Sequence, residues 1–492
     1  MELTILRYFY LTHLQSILSM HRPFLCFSIA LSFLLCTPQL YGQKSGPKPN
    51  IIIFLTDDQG FADVGFNGNE EIITPHLDQM AANSLRFNRC YTAPVCSPTR
   101  AGILTGRYPT RTGVFFWGHA LRPQEQTMAE ILKKNGYQTA FFGKWHLGSI
   151  RKDQPTNPGA QGFDNWYAAA NFYENDPWMS HNGEPVHLQG ESSALTVDLA
   201  LEYIEEVAQS DDPFLVYIWT GSPHLPHQAT EELKALYPDE SENMKNYMGE
   251  ITGVDRSIGA LKQGLENLGI EDKTVLWFSS DNGGRLPEAN NGELRNQKGS
   301  LYEGGIRVPA FMYWPDHISP GVTHIPVSTI DLLPTFLELA GVEESEIKHP
   351  IDGTSIVPLL GNKTIQRKQP LGFWVYPEIK GHGMKSDQII QDYNDLLLGH
   401  GNSENINDGL LNLPSQEYTG LDQYPYSGTS VWIDGSWKLL QTPNGYELYN
   451  LEQDPIESLN LSSTEKSKVD QMKVELRNWQ ESVVRSINGK DF

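Results

Sequence analysis

Residues Asn50 to Thr56 read Asn-Ile-Ile-Ile-Phe-Leu-Thr, an apolar β-branched run with no polar alternation, and Asp57 and Asp58 follow at once. A strand of this kind has to be covered on both faces, which is the condition inside a parallel sheet. Its carboxyl end is where such sheets open into a site. Similar runs recur at Gln138 to Phe142, Phe214 to Trp219 and Thr274 to Ser279. Helical stretches separate them: Thr74 to Phe87, with Thr74 as cap and Pro75 in the first turn, then Thr99 to Leu104, Gln126 to Asn135 ended by Gly136, Ser193 to Ala208, and Lys245 to Leu268 closed by Gly269. The alternation predicts an α/β fold, a large mostly parallel sheet flanked by helices.

The pattern changes after about residue 360. Gly381 to Tyr426 is polar, irregular and rich in Asn and Gly. Ser430 to Asp434 and Trp437 to Gln441 then flank Gly435, a hairpin signal; Tyr446 to Asn450 adds a strand and Ser463 to Ile487 a terminal helix. This predicts a smaller C-terminal antiparallel α+β subdomain. The expected divisions are a signal peptide at 1–42, a catalytic domain at 47–365 and the C-terminal subdomain at 366–492.

Phe24 to Leu35 is an apolar run of about a dozen residues behind His21 and Arg22, long enough for a signal-peptide core and short of the roughly 20 residues of a membrane span. Met20 as the true start would give a signal of ordinary length. The competing reading is an uncleaved anchor. No later stretch is long and apolar enough to span a bilayer, so a secreted or periplasmic chain is expected. The net charge of −23 excludes a general nucleic-acid binder, because phosphate backbones need clustered Lys and Arg. An anionic substrate would need local basic residues to overcome that field. Cleavage would leave two of the four cysteines, Cys90 and Cys96, too few for a disulfide-held scaffold.

Adjacent carboxylates repel, so Asp57 and Asp58 at a strand end point to a cation, against the alternative of a solvated turn. Asp281-Asn282 ends the run at Thr274 and would converge on the same ion from the same sheet edge. Oxygen ligands suit Ca²⁺ or Mg²⁺ and disfavour Zn²⁺. Cys96 lies near a predicted helix start, where the dipole favours a thiolate; an ordinary buried Cys is the alternative. Lys144 and His146 follow a strand and bring a cation and a titratable ring. His224 and His227, between and beside prolines, follow another. Glu303 and Arg307 read as a structural ion pair. Trp117, His119, Trp178 and His382 fall in irregular segments where they would line a pocket or simply pack.

Several blocks together resemble the sulfatase family of the alkaline-phosphatase superfamily, from about Pro49 to Pro309 and more weakly to the end. Cys96-Ser97-Pro98-Thr99-Arg100, extended to Gly106, is similar to the family signature around its modified cysteine. Gly136 to His146 is similar to the second signature. Asn50 to Gly60, Thr74 to Asp78, Asp281 to Gly283 and Lys298 to Pro309 match further blocks. The closest resemblance is to the arylsulfatase and N-acetylgalactosamine-6-sulfatase branch.

The resemblance implies hydrolysis of a sulfate ester on an aryl group or a sugar. It implies that a formylglycine-generating enzyme oxidises Cys96 to formylglycine, which argues against a Cys90–Cys96 disulfide. It places Asp57, Asp58, Asp281, Asn282 and the modified residue 96 on one Ca²⁺, with Mg²⁺ second. Arg100 and Lys144 would hold the nucleophile, Lys298 the sulfate and bridging oxygen. His224 would protonate the leaving alcohol, with His227 ranked second, and His146 would take the proton that lets sulfate depart. Two other functions compete: a phosphate or phosphonate monoester hydrolase of the same superfamily, and an inactive carbohydrate-binding relative.

Overall fold

In the computed structural model, which describes residues 48–365, 367, 369–375 and 428–491, Asn50–Thr56 forms strand β1. The signal segment, the tract from Gly381 to Tyr426 and His382 lie outside the described residues. Pro75–Ala82 is α1, Leu85–Phe87 β2 and Cys90–Tyr91 β3. Cys96–Thr105 is α2, Met128–Lys134 α3 and Gln138–Lys144 β4. Asn165–Ala169 (β5) leads to a hairpin of Trp178–His181 (β6) and Glu184–His187 (β7). Ser192–Val207 is α4, Phe214–Trp219 β8, Glu242–Leu268 α5 and Thr274–Ser280 β9. A one-turn helix, Glu303–Ile306 (α6), precedes Arg307–Val308 (β10), Ala310–Tyr313 (β11), Gly321–Thr323 (β12) and Val327–Ser328 (β13). Leu332–Leu339 is α7 and Leu371–Val375 β14. Thr429–Asp434 (β15), Trp437–Thr442 (β16), Gly445–Asn450 (β17) and Lys466–Ile487 (α8) follow.

Ten strands form the main sheet, in the order β12-β2-β11-β9-β1-β8-β4-β5-β6-β7. The central block β9-β1-β8-β4-β5 is parallel, with Ile53 of β1 beside Tyr217 of β8 and Trp277 of β9. Antiparallel pairs flank it, β11 on β9 at one side and the β6–β7 hairpin on β5 at the other. Side chains alternate between faces as a pleat requires. Ile51, Ile53 and Leu55 join a core with α2, α3 and α7, whereas Ile52 and Phe54 join a second core with α1, α4 and α5. Each of these five is fully buried, and burial of such a side chain stabilises by about 1.5–3 kcal/mol. Sheet β14-β15-β16-β17 is antiparallel, and α8 packs on it through Met472, Leu476, Trp479 and Val483.

The helix predicted over Thr74 to Phe87 stops at Ala82. Leu85–Phe87 instead pairs with β11 and β12, so strand pairing overrides the apolar rhythm that continues the helix on paper. Trp178, expected in an irregular segment, begins β6. α3 starts as its sequence indicates: Thr127 and Glu130 form a reciprocal capping box.

Candidate active site

The carboxyl ends of β1, β4, β8 and β9 open at one edge of the sheet, and each delivers a side chain there. Asp57 and Asp58 follow β1, Lys144 ends β4, His224 follows β8, and Asp281 and Asn282 follow β9. The Asp281 backbone N–H donates to Thr56 O at 3.0 Å and that of Asp57 to Ser222 O at 3.1 Å, so the loops are tied at their bases. Gly143 lets β4 reach this edge: a Cβ there would sit 1.9 Å from Trp219 O, and its φ is +110°. Asp58 (φ 64°) and His146 (φ 54°) adopt left-handed backbone, a strained conformation that concentrates at functional sites.

Helix α2 enters from below with Cys96 as its first residue and with every residue buried. The Cys96 thiol points at Asp57 Oδ1 (3.5 Å) and Asp58 Oδ1 (3.9 Å). Burial, and then Asp281, push that thiol well up against Lys144 and Lys298, which favours the ordinary buried Cys of the two sequence readings over a dipole-stabilised thiolate. Cys90 is also a free thiol.

Two buried cations, Arg100 and Lys144, and the half-buried Lys298 face the three carboxylates. Lys144 Nζ lies 2.5 Å from Asp57, and Lys298 Nζ 2.6 Å from Asp58. Arg100 donates through Nη2 to Asp281 Oδ2 at 2.8 Å and through Nη1 to Lys144 O at 2.7 Å, with its guanidinium over the Trp219 ring. Burial raises Asp58, but Lys298, His224 and Lys144 outweigh it and hold the carboxyl well below its ordinary range. Burial and Asp57 push Asp281 up to about 6 against Arg100.

His224 Nε2 stands 3.6 Å from Asp58, and its ring stacks on Phe172 at 4.7 Å between centroids. Burial lowers His224 to about 3, with Lys298 and Lys144 adding to it against Asp58. Burial, then Lys144 and Arg100, hold His146 well below its ordinary value. Both ring nitrogens of His146 and the Asn282 side-chain oxygen are buried with no hydrogen-bond partner. At a sheet edge lined by three carboxylates, such groups are acceptors and donors that a bound ligand would satisfy. Ligand atoms of Asp57, Asp58, Cys96 and His224 all lie within 4.8 Å of one another.

Asp57, Asp58, Cys96, Arg100, Lys144, His146, His224, Asp281, Asn282 and Lys298 are therefore in one place. His227 is not: its Nδ1 faces Glu250 at 3.4 Å behind the site. His119 is buried and accepts from Phe115 N, so it packs rather than lines a cavity. Two contributors are given no role by the sequence, although Ser97 lies inside the signature around Cys96. Phe172 meets His224 only through the fold, and Ser97 Oγ bridges His146 O (2.7 Å) to Gly118 N (2.9 Å), fixing the strained His146 backbone.

Residues 49–342 match the Sulfatase family. The chain belongs to the sulfatase family. Residues 294–393 of this sulfatase also match the C-terminal region of N-sulphoglucosamine sulphohydrolase. An ulvan-active sulfatase of Formosa agariphila is 34% identical over 344 residues, 65% of this chain and 66% of that protein, so the match spans just under two thirds of its length. Human N-acetylgalactosamine-6-sulfatase is 31% identical over 77% of this chain and 78% of its own. The crystal structure of Ps i-CgsB in complex with k-i-k-neocarrahexaose superposes with a TM-score of 0.74 at 27% identity, covering 90% of this chain and 98% of that one.

Proposed function

We propose that this sulfatase hydrolyses sulfate esters of carbohydrates with residue 96 as the nucleophile. The observation that carries the reading is Cys96 held between Asp57 and Asp58, with Arg100, Lys144 and Lys298 around them and His146 and His224 at hand. A sugar sulfate is favoured by relatives named for ulvan and N-acetylgalactosamine 6-sulfate and by a similar structure that holds k-i-k-neocarrahexaose, while arylsulfatase A among the relatives keeps an aryl sulfate as the second reading.

In the active enzyme residue 96 is a formylglycine made by a formylglycine-generating enzyme. Cys96 is 1% exposed, which favours modification before the fold closes. The hydrated aldehyde supplies one hydroxyl to attack sulfur and a second whose deprotonation re-forms the aldehyde and breaks the bond from its carbon to the sulfate oxygen, which a serine does not offer. Asp57, Asp58, Asp281 and Asn282, with residue 96, would hold Ca²⁺, with Mg²⁺ second. The all-oxygen side chains fit a hard cation, and the orphaned Asn282 oxygen is the acceptor such an ion would satisfy. When bound, the cation neutralises a sulfate oxygen and makes the attacking hydroxyl more acidic.

The protein's own groups do the rest. Arg100 and Lys144 hold the nucleophile, and Lys298 binds the sulfate and bridging oxygen. His224 protonates the leaving alcohol; the sulfate anion supplies the negative charge that returns a proton to a ring otherwise lowered by burial. His146, kept neutral, accepts the proton that lets sulfate go. The protein is secreted or periplasmic, with residues 1–42 as signal peptide; among the described residues no helix is long and apolar enough to cross a membrane.

Two measurements test this. Protein co-expressed with the maturing enzyme should carry an aldehyde at residue 96 by peptide mass and release sulfate from sulfated mono- and oligosaccharides faster than it cleaves aryl phosphate. Activity from protein with only a thiol there would overturn the nucleophile. Chelation should silence the enzyme and Ca²⁺ restore it; restoration by Zn²⁺ alone would overturn the metal.

A further inference from the structure

We propose that the β6–β7 hairpin forms a second sugar-binding subsite, in which Trp178 stacks on a pyranose ring of a sulfated oligosaccharide held in the active site. The inference rests on the reading of the chain as a glycan sulfatase.

Three independent observations carry it. The first is placement. β4 pairs with β5 through Lys144 and Ala169, and β6 runs antiparallel to β5 with Ser180 opposite Ala168. Trp178 therefore begins its strand at the edge where β4 delivers Lys144, two strand spacings or about 10 Å along it. The second is the ring itself. Trp178 is 41% exposed, and His187, its partner across the hairpin, stacks on it at 4.7 Å and 21°. His187 Nε2 is held 3.0 Å from Asp176 O, so one indole face is covered by a fixed ring. A preorganised, half-exposed aromatic plane suits the apolar face of a sugar. Its strand neighbours do not share that exposure: Met179 is buried in a core with Ala169 and Tyr173.

The third is charge. Trp178 and Ser180 share a face of the strand. Ser180 Oγ donates to Ile150 O at 2.6 Å, which brings the Leu147–Asp153 loop, running on from His146, onto that face with Arg151 and Lys152. Lys152 pairs with Glu184 at 3.1 Å, both sides well exposed. Such a pair is weak and yields readily to a sulfate group. Asp153 on the same loop and Asp176 and Glu184 beside Trp178 balance these cations, so it is the opening of the weak Lys152–Glu184 pair that offers an anionic polymer a cation here. The loop behind the hairpin is also tied to the histidine loop: Asn175 Nδ2 donates to Gln228 O at 2.9 Å, and Phe172 stacks on His224.

The test is binding to the full chain carrying Cys96→Ala, which cannot turn over, by titration calorimetry with an ι-carrageenan hexasaccharide, a chondroitin 6-sulfate hexasaccharide and galactose 6-sulfate. Adding Trp178→Ala should raise the hexasaccharide Kd roughly three- to tenfold, the worth of one aromatic stack, and more than it raises that of galactose 6-sulfate. Trp178→Phe should recover most of the loss, and Lys152→Gln should weaken hexasaccharide binding most at low salt. Equal losses on hexasaccharide and monosaccharide, or a parent chain that binds neither hexasaccharide, overturn the subsite. Failure of the wild-type chain to release sulfate would sink the sulfatase reading instead, because calorimetry does not depend on turnover.

Discussion

Two clusters of buried charge in this molecule are built alike and finished differently. At the sheet edge, Asp57, Asp58 and Asp281 face Arg100, Lys144 and Lys298. Under the C-terminal sheet, Glu303 and Glu457 each lie 2.8 Å from Lys438 Nζ, and Glu303 also accepts from Tyr91 OH at 3.1 Å with Arg307 at 3.6 Å. Lys438 and Glu303 are fully buried. Burial favours neutral Glu303, but Lys438 and Arg307 prevail and hold its carboxyl below the ordinary range. This second cluster pairs each of its carboxylates with a cation and joins β16 to α6, although Arg307 Nε is left without a hydrogen-bond partner. The first is left open, with the Asn282 oxygen and both His146 nitrogens unpartnered. In the second cluster the carboxylates answer to Lys438 and Arg307, whereas in the first a neutral imidazole and an amide oxygen stand unpartnered beside three carboxylates at a sheet edge, an arrangement that suits a ligand.

The sharpest way to break that distinction is to change one residue in each cluster. Cys96→Ala at the open cluster should cut sulfate release by at least about 10³-fold while leaving the urea midpoint near that of the parent, because it removes chemistry and a small buried group. A large loss of stability alongside would place Cys96 in the structural class. His224→Ala should cost about 10²–10⁴-fold on a sulfated sugar and much less on nitrophenyl sulfate, whose leaving group departs without a proton. His146→Ala should slow both substrates alike. Equal losses for His224→Ala on the two substrates would exchange the two histidines' roles. At the second cluster, Lys438→Met strands Glu303 and Glu457 and should cost about 3–5 kcal/mol in urea unfolding. If it instead stops turnover at unchanged stability, the second cluster belongs to the site.

What the sequence exposes follows the same division. β1, β8 and β9 are legible because strands buried on both faces are continuous apolar runs, and the acidic residues behind them mark the site edge. The signature blocks bring Cys96, Arg100, Lys144 and Lys298 together before any coordinates. The β5–β7 region is not legible: its strands are short, Pro185 sits in one of them, and their alternation is broken by polar turns. Leu85–Phe87 reads as helix because only distant β11 and β12 make it a strand. Phe172, the contacts of Ser97 and the Glu303–Lys438 pairing depend on residues far apart in sequence, and local pattern holds no record of those partners. The state of Cys96 is hidden for another reason: the helix start is local, but the burial that raises its thiol, with Asp281 adding to it, comes from elements distant in sequence.

Asp255 supplies the contrast to both clusters, a buried carboxylate served by backbone rather than by a cation. From α5 its Oδ1 accepts from Leu77 N at 2.7 Å in the first turn of α1, and its Oδ2 is buried without a partner. Burial pushes it up to about 7, against the backbone hydrogen bonds from Leu77 and His76. A folded-state value above the unfolded one means that the native chain holds the extra proton between about pH 4 and 7. Stability from this group is present below about pH 4 and is lost as pH rises through 7. Asp255→Asn keeps the acceptor for Leu77 and carries no charge at any pH. Its melting temperature relative to the parent should therefore climb from pH 4 to 7 and level off above. Asp63 and Glu250, raised to about 6 and about 7, titrate in parent and variant alike and drop out of the difference. A difference independent of pH would show that Asp255 stays ionised in the fold and that its backbone partners suffice to hold a buried charge.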